Sequence, residues 1–280
     1  MPNIKETERP ARKLLPIIYV LDSSGSMEGN KIACVNRAMK ETMEVMKSVS
    51  NENPTAELKV GAIEFSTGAE EITKDGLVYL EDFYWTDLTA GGLTDYGSAL
   101  KMLHEDMSRE GWIKSDIGYK PPVMIFMSDG RPTDDYKAAL ENLKVSNKWF
   151  QIASKIGIAI GDDADRSVLA EITGNPEAVI KVDDLTTLKK LIRTASVTAA
   201  MIGSKSRTTN DITGEIIDSI KQEMGNTVTT DTGDGDGSGA TTTAAGAGVG
   251  TSTGTSTGAV SGSTSGGQTT DEDPWGDGWD

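Results

Sequence analysis

Leu15–Met27 reads LPIIYVLDSSGSM. Its first seven residues, Leu15–Leu21, are nearly all apolar, as expected for a strand covered on both faces rather than one washed by solvent. The five that follow, Asp22–Ser26, are small and mostly polar, so the chain leaves the sheet at Asp22. After Gly29, apolar residues recur at Ile32, Val35, Met39, Met43 and Met46, the spacing of one helix face. Cys34 falls within this helix and reads as a small buried hydrophobe. Strand, polar loop and helix together make the first unit of an α/β chain. The unit repeats downstream. Leu58–Phe65 alternates like a strand, Thr94–Met107 is helical, and Pro122–Met127 (PVMIFM) is again an apolar strand. Asp134–Phe150 is predicted helical, Ile152–Ile160 a strand, Asp165–Thr173 a helix, Ala178–Val182 a strand and Leu185–Ala200 a closing helix. Strands alternating with helices over this length predict a doubly wound, largely parallel open sheet with helices on both faces.

Composition bounds the rest. The chain has 280 residues, a formal charge of −16 and only 5% aromatic residues. Eight acidic and no basic side chains fall within 231–280, so half the net charge sits in the last fifty residues. A nucleic-acid-binding surface is disfavoured, because neutralising phosphates takes a surplus of Lys and Arg. No apolar run approaches the roughly 18 residues that cross a bilayer. Met1–Arg12 is polar, with no small-residue cleavage site after it, so no secretory signal is expected. Cys34 is the sole cysteine, which excludes a disulfide framework and a thiolate cluster. These features point to a soluble, cytoplasmic protein.

Aromatic residues stop at Phe150 and return only at Trp275. Between Asp231 and Thr270, 29 of 40 residues are Gly, Thr or Ser. Such a segment buries too little apolar surface to offset its ordering entropy and is expected to be a disordered linker. Asp234-Gly-Asp-Gly-Ser-Gly239 resembles half a calcium loop, but Ala245 stands where the bidentate Glu is needed. The expected organisation is therefore an N-terminal extension (1–14), a domain (15–202), a short helix or linker (203–230), the linker 231–270 and an acidic end (271–280). Within 203–230, Ile212, Ile216, Ile217 and Ile220 recur at helical spacing.

Ligands of doubly wound sheets bind beyond the carboxyl ends of the strands. Three segments lie there. Asp22, Ser24 and Ser26 form a D-x-S-x-S pattern after the first strand. Gly91-Gly-Leu-Thr94 brings a tight loop and then a hydroxyl at a helix start. Met127-Ser-Asp129-Gly130 ends the strand 122–127 with a second carboxylate. Hydroxyl and carboxylate oxygens suit magnesium or manganese rather than zinc or copper.

These segments resemble the metal-ion-dependent adhesion site of the von Willebrand factor type A (VWA) family. Asp22, Ser24 and Ser26 match its first motif, Thr94 with Gly97, Ala99 and Leu100 its second, and Asp129 with Pro132, Thr133 and Asp134 its third. Leu93 departs from the pattern, since related sequences usually place Thr directly after Gly-Gly. The wording is most similar to the bacterial cytoplasmic, TerY-like branch associated with tellurium resistance. The resemblance implies metal ligation by Asp22, Ser24, Ser26, Thr94 and Asp129, with Mg2+ or Mn2+ as the ion. It implies a non-catalytic module whose metal captures an acidic residue of a protein partner. It also implies a stress-response setting with a kinase or phosphatase as associate.

A metal-dependent phosphohydrolase with Asp22 as nucleophile is the catalytic rival. Haloacid dehalogenase-type chemistry wants a second Asp two residues on, where Ser24 stands. His104, the only histidine, lies ten residues past Thr94, roughly 15 Å along a helix axis. The end, DEDPWGDGWD, sets Trp275 and Trp279 among five acids. Such aromatic residues can anchor a short peptide in a second partner's groove. In that case the protein acts as a scaffold or phosphorylation substrate through its tail.

Overall fold

The computed structural model describes residues 12–229 except 75, 162–163 and 204–207, with side chains described to residue 225. The expectations for residues 1–11, for the linker 231–270, for the calcium-like loop and for Trp275 and Trp279 lie outside the described residues.

The apolar run of the first segment forms β1 (Lys13–Asp22), buried at every position after Lys13. It is followed by α1 (Asn30–Glu52), β2 (Ala56–Ser66), β3 (Gly68–Glu71), β4 (Val78–Tyr79), α2 (Tyr96–Asp106) and β5 (Val123–Ser128). Then come α3 (Lys137–Ser146), α4 (Lys148–Ile152), β6 (Ser154–Ile160), α5 (Arg166–Thr173), β7 (Val179–Val182), α6 (Leu185–Ile202) and α7 (Thr209–Thr229). The sheet runs β3-β2-β1-β5-β6-β7, with β4 also on β2. β1 pairs in parallel with β2 and β5, and β6 continues in parallel to β7. The doubly wound architecture is as expected. Only β3 and β4 run antiparallel, at the β2 edge. Both are short and lack apolar alternation, so the sequence carried no period-2 signal for them.

The alternation of β1 splits the core in two. Leu15, Ile17, Tyr19 and Leu21 face α1, α6 and α7, while Ile18 and Val20 face α2, α3 and α5. On the first face, the buried Tyr19 hydroxyl donates to Ser196 Oγ on α6 at 2.8 Å. On the second, Trp112 packs against β2 at Gly61. A Cβ at Gly61 would sit 2.4 Å from the indole, so only glycine admits this approach.

Two expected helices differ in extent, each for a polar reason. The segment expected as one helix over 134–150 is broken at Asn147. Its Oδ1 caps α4 by accepting from Phe150 N, and its Nδ2 donates to the His104 and Met107 carbonyls. The helix expected from Thr94 begins only at Tyr96, because Asp95 is its cap and accepts from Ser98 N at 2.9 Å. Thr94 is thereby left in the loop. Cys34 is only half-buried, and its thiol reaches the Leu185 carbonyl at 3.1 Å. The isoleucine repeat near the C-terminus forms α7, which packs on α6 and β6.

Asp106, at the end of α2, is buried, and its Oδ2 has no hydrogen-bond partner among the described residues. Burial, and then the negative charge of Glu71 on β3, push its carboxyl up to about 7 from 3.8. The folded chain thus holds a proton between those values that the unfolded chain has released. This contribution is full below about pH 4 and is lost as pH rises through 7. Asp106→Asn should therefore exceed the wild type in stability at pH 8 by about 1–3 kcal/mol, an advantage that shrinks by pH 5. Urea melts of both proteins at the two pH values measure this. A constant difference between them would contradict it.

Candidate metal centre

β1 has β2 on one side and β5 on the other, so the chain's winding reverses between β1 and β5. This is the switch point at which crevices open in such sheets. The three candidate segments meet there.

Asp22 is the last residue of β1 and is 1% exposed. Its Oδ1 accepts from Ser24 N at 2.8 Å, and its Oδ2 accepts from Ser128 Oγ, the last residue of β5, at 2.5 Å. Burial raises the Asp22 carboxyl above its ordinary value, against the opposing pull of the bonds from Ser128 and Ser24. Ser24 and Ser26 stand 3.1 Å apart at Oγ, and Ser26 Oγ donates to Asp129 Oδ1 at 2.6 Å. Asp22, Ser24, Ser26 and Asp129 thus form one chain of neighbouring oxygens. A Cβ on Gly130 would lie 3.3 Å from both Ser26 Oγ and Thr94 Oγ1, so glycine there lets the third loop close onto the first two.

The loops are fixed by their backbones. Gly25 N donates to Gly92 O and Gly91 N to Ser23 O, lacing the first loop to the second. Thr94 N donates to Thr133 Oγ1, and Thr133 N returns to Thr94 O. Asp134 Oδ2 accepts from Gly97 N at 2.7 Å, holding the start of α2 against the third loop. Leu93, the departure from the motif, points outward and is 56% exposed, with its N–H on Thr67 Oγ1. The extra residue is absorbed at the rim and Thr94 remains inside.

All five sequence-derived residues are brought together by this arrangement. Asp22, Ser24, Thr94 and Asp129 are buried, whereas Ser26 is exposed, so the cluster opens to solvent on the Ser26 side. The donor set fits a hard divalent cation: two carboxylates balance its charge and three hydroxyls add neutral oxygens. Thr94 Oγ1 faces Gly130 beside Ser26 Oγ, a neutral hydroxyl oxygen of the kind such an ion accepts. Among the described residues no three His, Cys, Asp or Glu side chains are grouped to hold a metal, so a cation here relies on hydroxyls. His104 lies elsewhere, with Nε2 2.7 Å from Ser146 Oγ on α3.

Two participants were missed from sequence. Ser128 orients Asp22, and its signal was the S-D-G wording that ends β5. Lys31, in the first turn of α1, places Nζ 2.5 Å from Asp129 Oδ2. Its only signal was position, two residues after Gly29.

A doubly wound α/β domain with an oxygen-donor cluster at its switch point is the class of protein that the fold and site define. The chain belongs to the von Willebrand factor type A domain family, whose model matches residues 17–194. Domains of this family often carry a divalent-metal adhesion site that mediates protein–protein contacts, and they generally serve as interaction modules. No curated protein matches the chain. Among solved structures, the von Willebrand factor type A protein from Catenulispora acidiphila is 18% identical, with a TM-score of 0.48 over 68% of this chain and 43% of its own. Proximal thread matrix protein 1 from the mussel byssus is 20% identical, with a TM-score of 0.48 over 68% of this chain and 48% of its own. The chain thus spans less than half the length of either. The same mussel protein is also known with zinc in its adhesion motif, at 20% identity and a TM-score of 0.46 over 65% of this chain and 47% of its own. No helix among the described residues is long and apolar enough to cross a membrane.

Proposed function

We propose that this chain is a non-catalytic, metal-dependent protein-binding module. In this reading Asp22, Ser24, Ser26, Thr94 and Asp129 hold Mg2+ or Mn2+, and an Asp or Glu of a protein partner completes the coordination. The observation that carries it is the convergence of three hydroxyls and two carboxylates, from three separate loops, on a cluster open at Ser26. The metal, when bound, supplies an electrophilic position for an incoming carboxylate. The chain's own residues do the rest. Ser128 and Ser24 N hold Asp22 in one rotamer, Ser26 and Lys31 hold Asp129, and the laced glycine loops keep Thr94 facing inward. A site ordered in advance loses little entropy when it binds.

The TerY-like wording of the motifs supports a cytoplasmic setting in a tellurium-resistance or stress-response system with kinase or phosphatase partners. We further assign 15–202 as the binding domain, 203–230 as an accessory helical segment and 231–280 as linker and acidic motif, with a second partner at Trp275 and Trp279. The phosphohydrolase alternative is disfavoured by Ser24, which stands where a second Asp is wanted, and by His104, which lies away from the cluster beside Ser146.

A pull-down with magnesium, repeated with a chelator, tests the main reading. A partner retained by the wild type only with magnesium, and lost in Asp129→Ala under both conditions, is the expected result. Retention that ignores both chelator and mutation would exclude it.

A further inference from the structure

Away from the metal centre, the chain forms a cavity of about 320 Å3 at the amino end of β6, between the α5–β7 connection and α7. Asp22 and Asp129 lie at the carboxyl ends of β1 and β5, and β6 runs parallel to β5, so cavity and cluster occupy opposite edges of the sheet. The volume falls within the roughly 300–1,000 Å3 of small-molecule sites. One wall, α7, lies beyond the residues matched by the family model.

Lys155, the second residue of β6, lines this cavity and is only partly exposed. Its Nζ donates to the Phe150 and Ala153 carbonyls at 2.8 and 2.9 Å, and it lies 4.7 Å from the centre of the Phe150 ring. All three neighbours are uncharged. Burial, and then the positive charge of Lys144, push the ammonium down to about 8 from 10.5. No acidic side chain among the described residues is paired with it. A cation drawn out of water and faced only by neutral groups lacks the counter-charge that would offset its desolvation. Gly214, inside α7, leaves the facing wall bare. Glycine weakens a helix interior, yet a Cβ there would meet no atom within 4 Å, so no close contact demands it.

We propose that this cavity binds a small, singly charged carboxylate, with Lys155 as its counter-ion. The ligand's class follows from the lining. Glu177 and Asp218, both exposed, line the cavity together with the exposed Lys221, so two acids oppose one further cation and a multiply charged phosphate is repelled. The buried Ala153 and Ile217 offer apolar contact to the hydrocarbon part of an organic acid. The site is independent of the metal, so its failure would leave the reading of Asp22 and Asp129 untouched.

The test titrates isobutyrate, benzoate and N-acetylleucine, each beside its neutral amide, into the full chain freed of metal, and follows the small molecules by saturation-transfer NMR. At least one acid is expected to saturate with a Kd below about 10 mM, about tenfold tighter than its amide. Lys155→Met is expected to abolish that preference for the acid. Gly214→Leu, which favours the helix and fills the open space at its wall, is expected to weaken acid and amide alike by about tenfold. The acid–amide comparison and Gly214→Leu decide the matter even if Lys155→Met does not fold. Absence of saturation by all three acids, equal binding of acid and amide, or binding indifferent to Gly214→Leu would overturn the inference. So would inorganic phosphate displacing every acid at lower concentration.

Discussion

Asp22→Asn is expected to weaken Mn2+ binding at least a hundredfold, about 2.8 kcal/mol at 1.4 kcal/mol per factor of ten, while leaving the metal-free fold intact. Asp22 supplies one of the two negative charges in the proposed donor set. Three hydroxyls and a single carboxylate, itself engaged by Lys31, cannot replace the hydration that a hard divalent ion gives up. Asparagine is the informative substitution because it keeps the shape. Its oxygen can still accept from Ser24 N, and Ser128 Oγ can turn to accept from the amide instead of donating. Folding is thereby separated from ligation. Melting in the presence of a chelator should be unchanged, whereas the rise in melting temperature that Mn2+ gives the wild type should vanish. An Asp22→Asn protein that titrates Mn2+ like the wild type would show that the cluster is not where the ion is held.

The second large effect concerns α7, which lies beyond the residues matched by the family model. Ile212, Ile216, Ile217 and Ile220 are all buried against the core, and the helix is tied at its start by Thr209 Oγ1 donating to Ile152 O at 2.7 Å. Ile216 is fully buried. A carboxylate placed there has no cationic partner within the isoleucine face and cannot stay charged in an apolar contact. The cheaper response is for α7 to leave the core, so the loss is bounded by the docking energy of this helix rather than by the stability of the whole domain. With four isoleucines each contributing about 2 kcal/mol when buried, offset by the ordering entropy of the helix, Ile216→Asp should cost about 4 kcal/mol. Limited proteolysis should then cut within 209–225, and urea unfolding should begin earlier than in the wild type. A protease pattern identical to the wild type would mean that α7 contributes little to the folded state.

Much of the fold was legible because its signals are local. The all-apolar Leu15–Leu21 run, the helical spacing after Gly29 and the strand-helix alternation each follow from the neighbours a few positions away. Missed features arise from longer-range causes. Asn147 breaks a helix because its amide finds two carbonyls at the end of α2, and Asp95 displaces the start of α2 because it caps that helix in place of Thr94. β3 and β4 exist because β2 offers them an edge, not because GAEE or VY has a strand pattern.

For the site, the motifs after the strands and their resemblance to the family's adhesion site were what nominated Asp22, Ser24, Ser26, Thr94 and Asp129. Sequence by itself also determined that strands and helices would alternate, because hydrophobic periodicity is a property of consecutive residues. Only the tertiary structure decided that three loops separated by up to about a hundred positions close on one another, that the site opens at Ser26, and that Lys31 presses its charge on Asp129. Those outcomes depend on which strands become neighbours in the sheet, and spatial adjacency between β1 and β5 is written in no single stretch of chain.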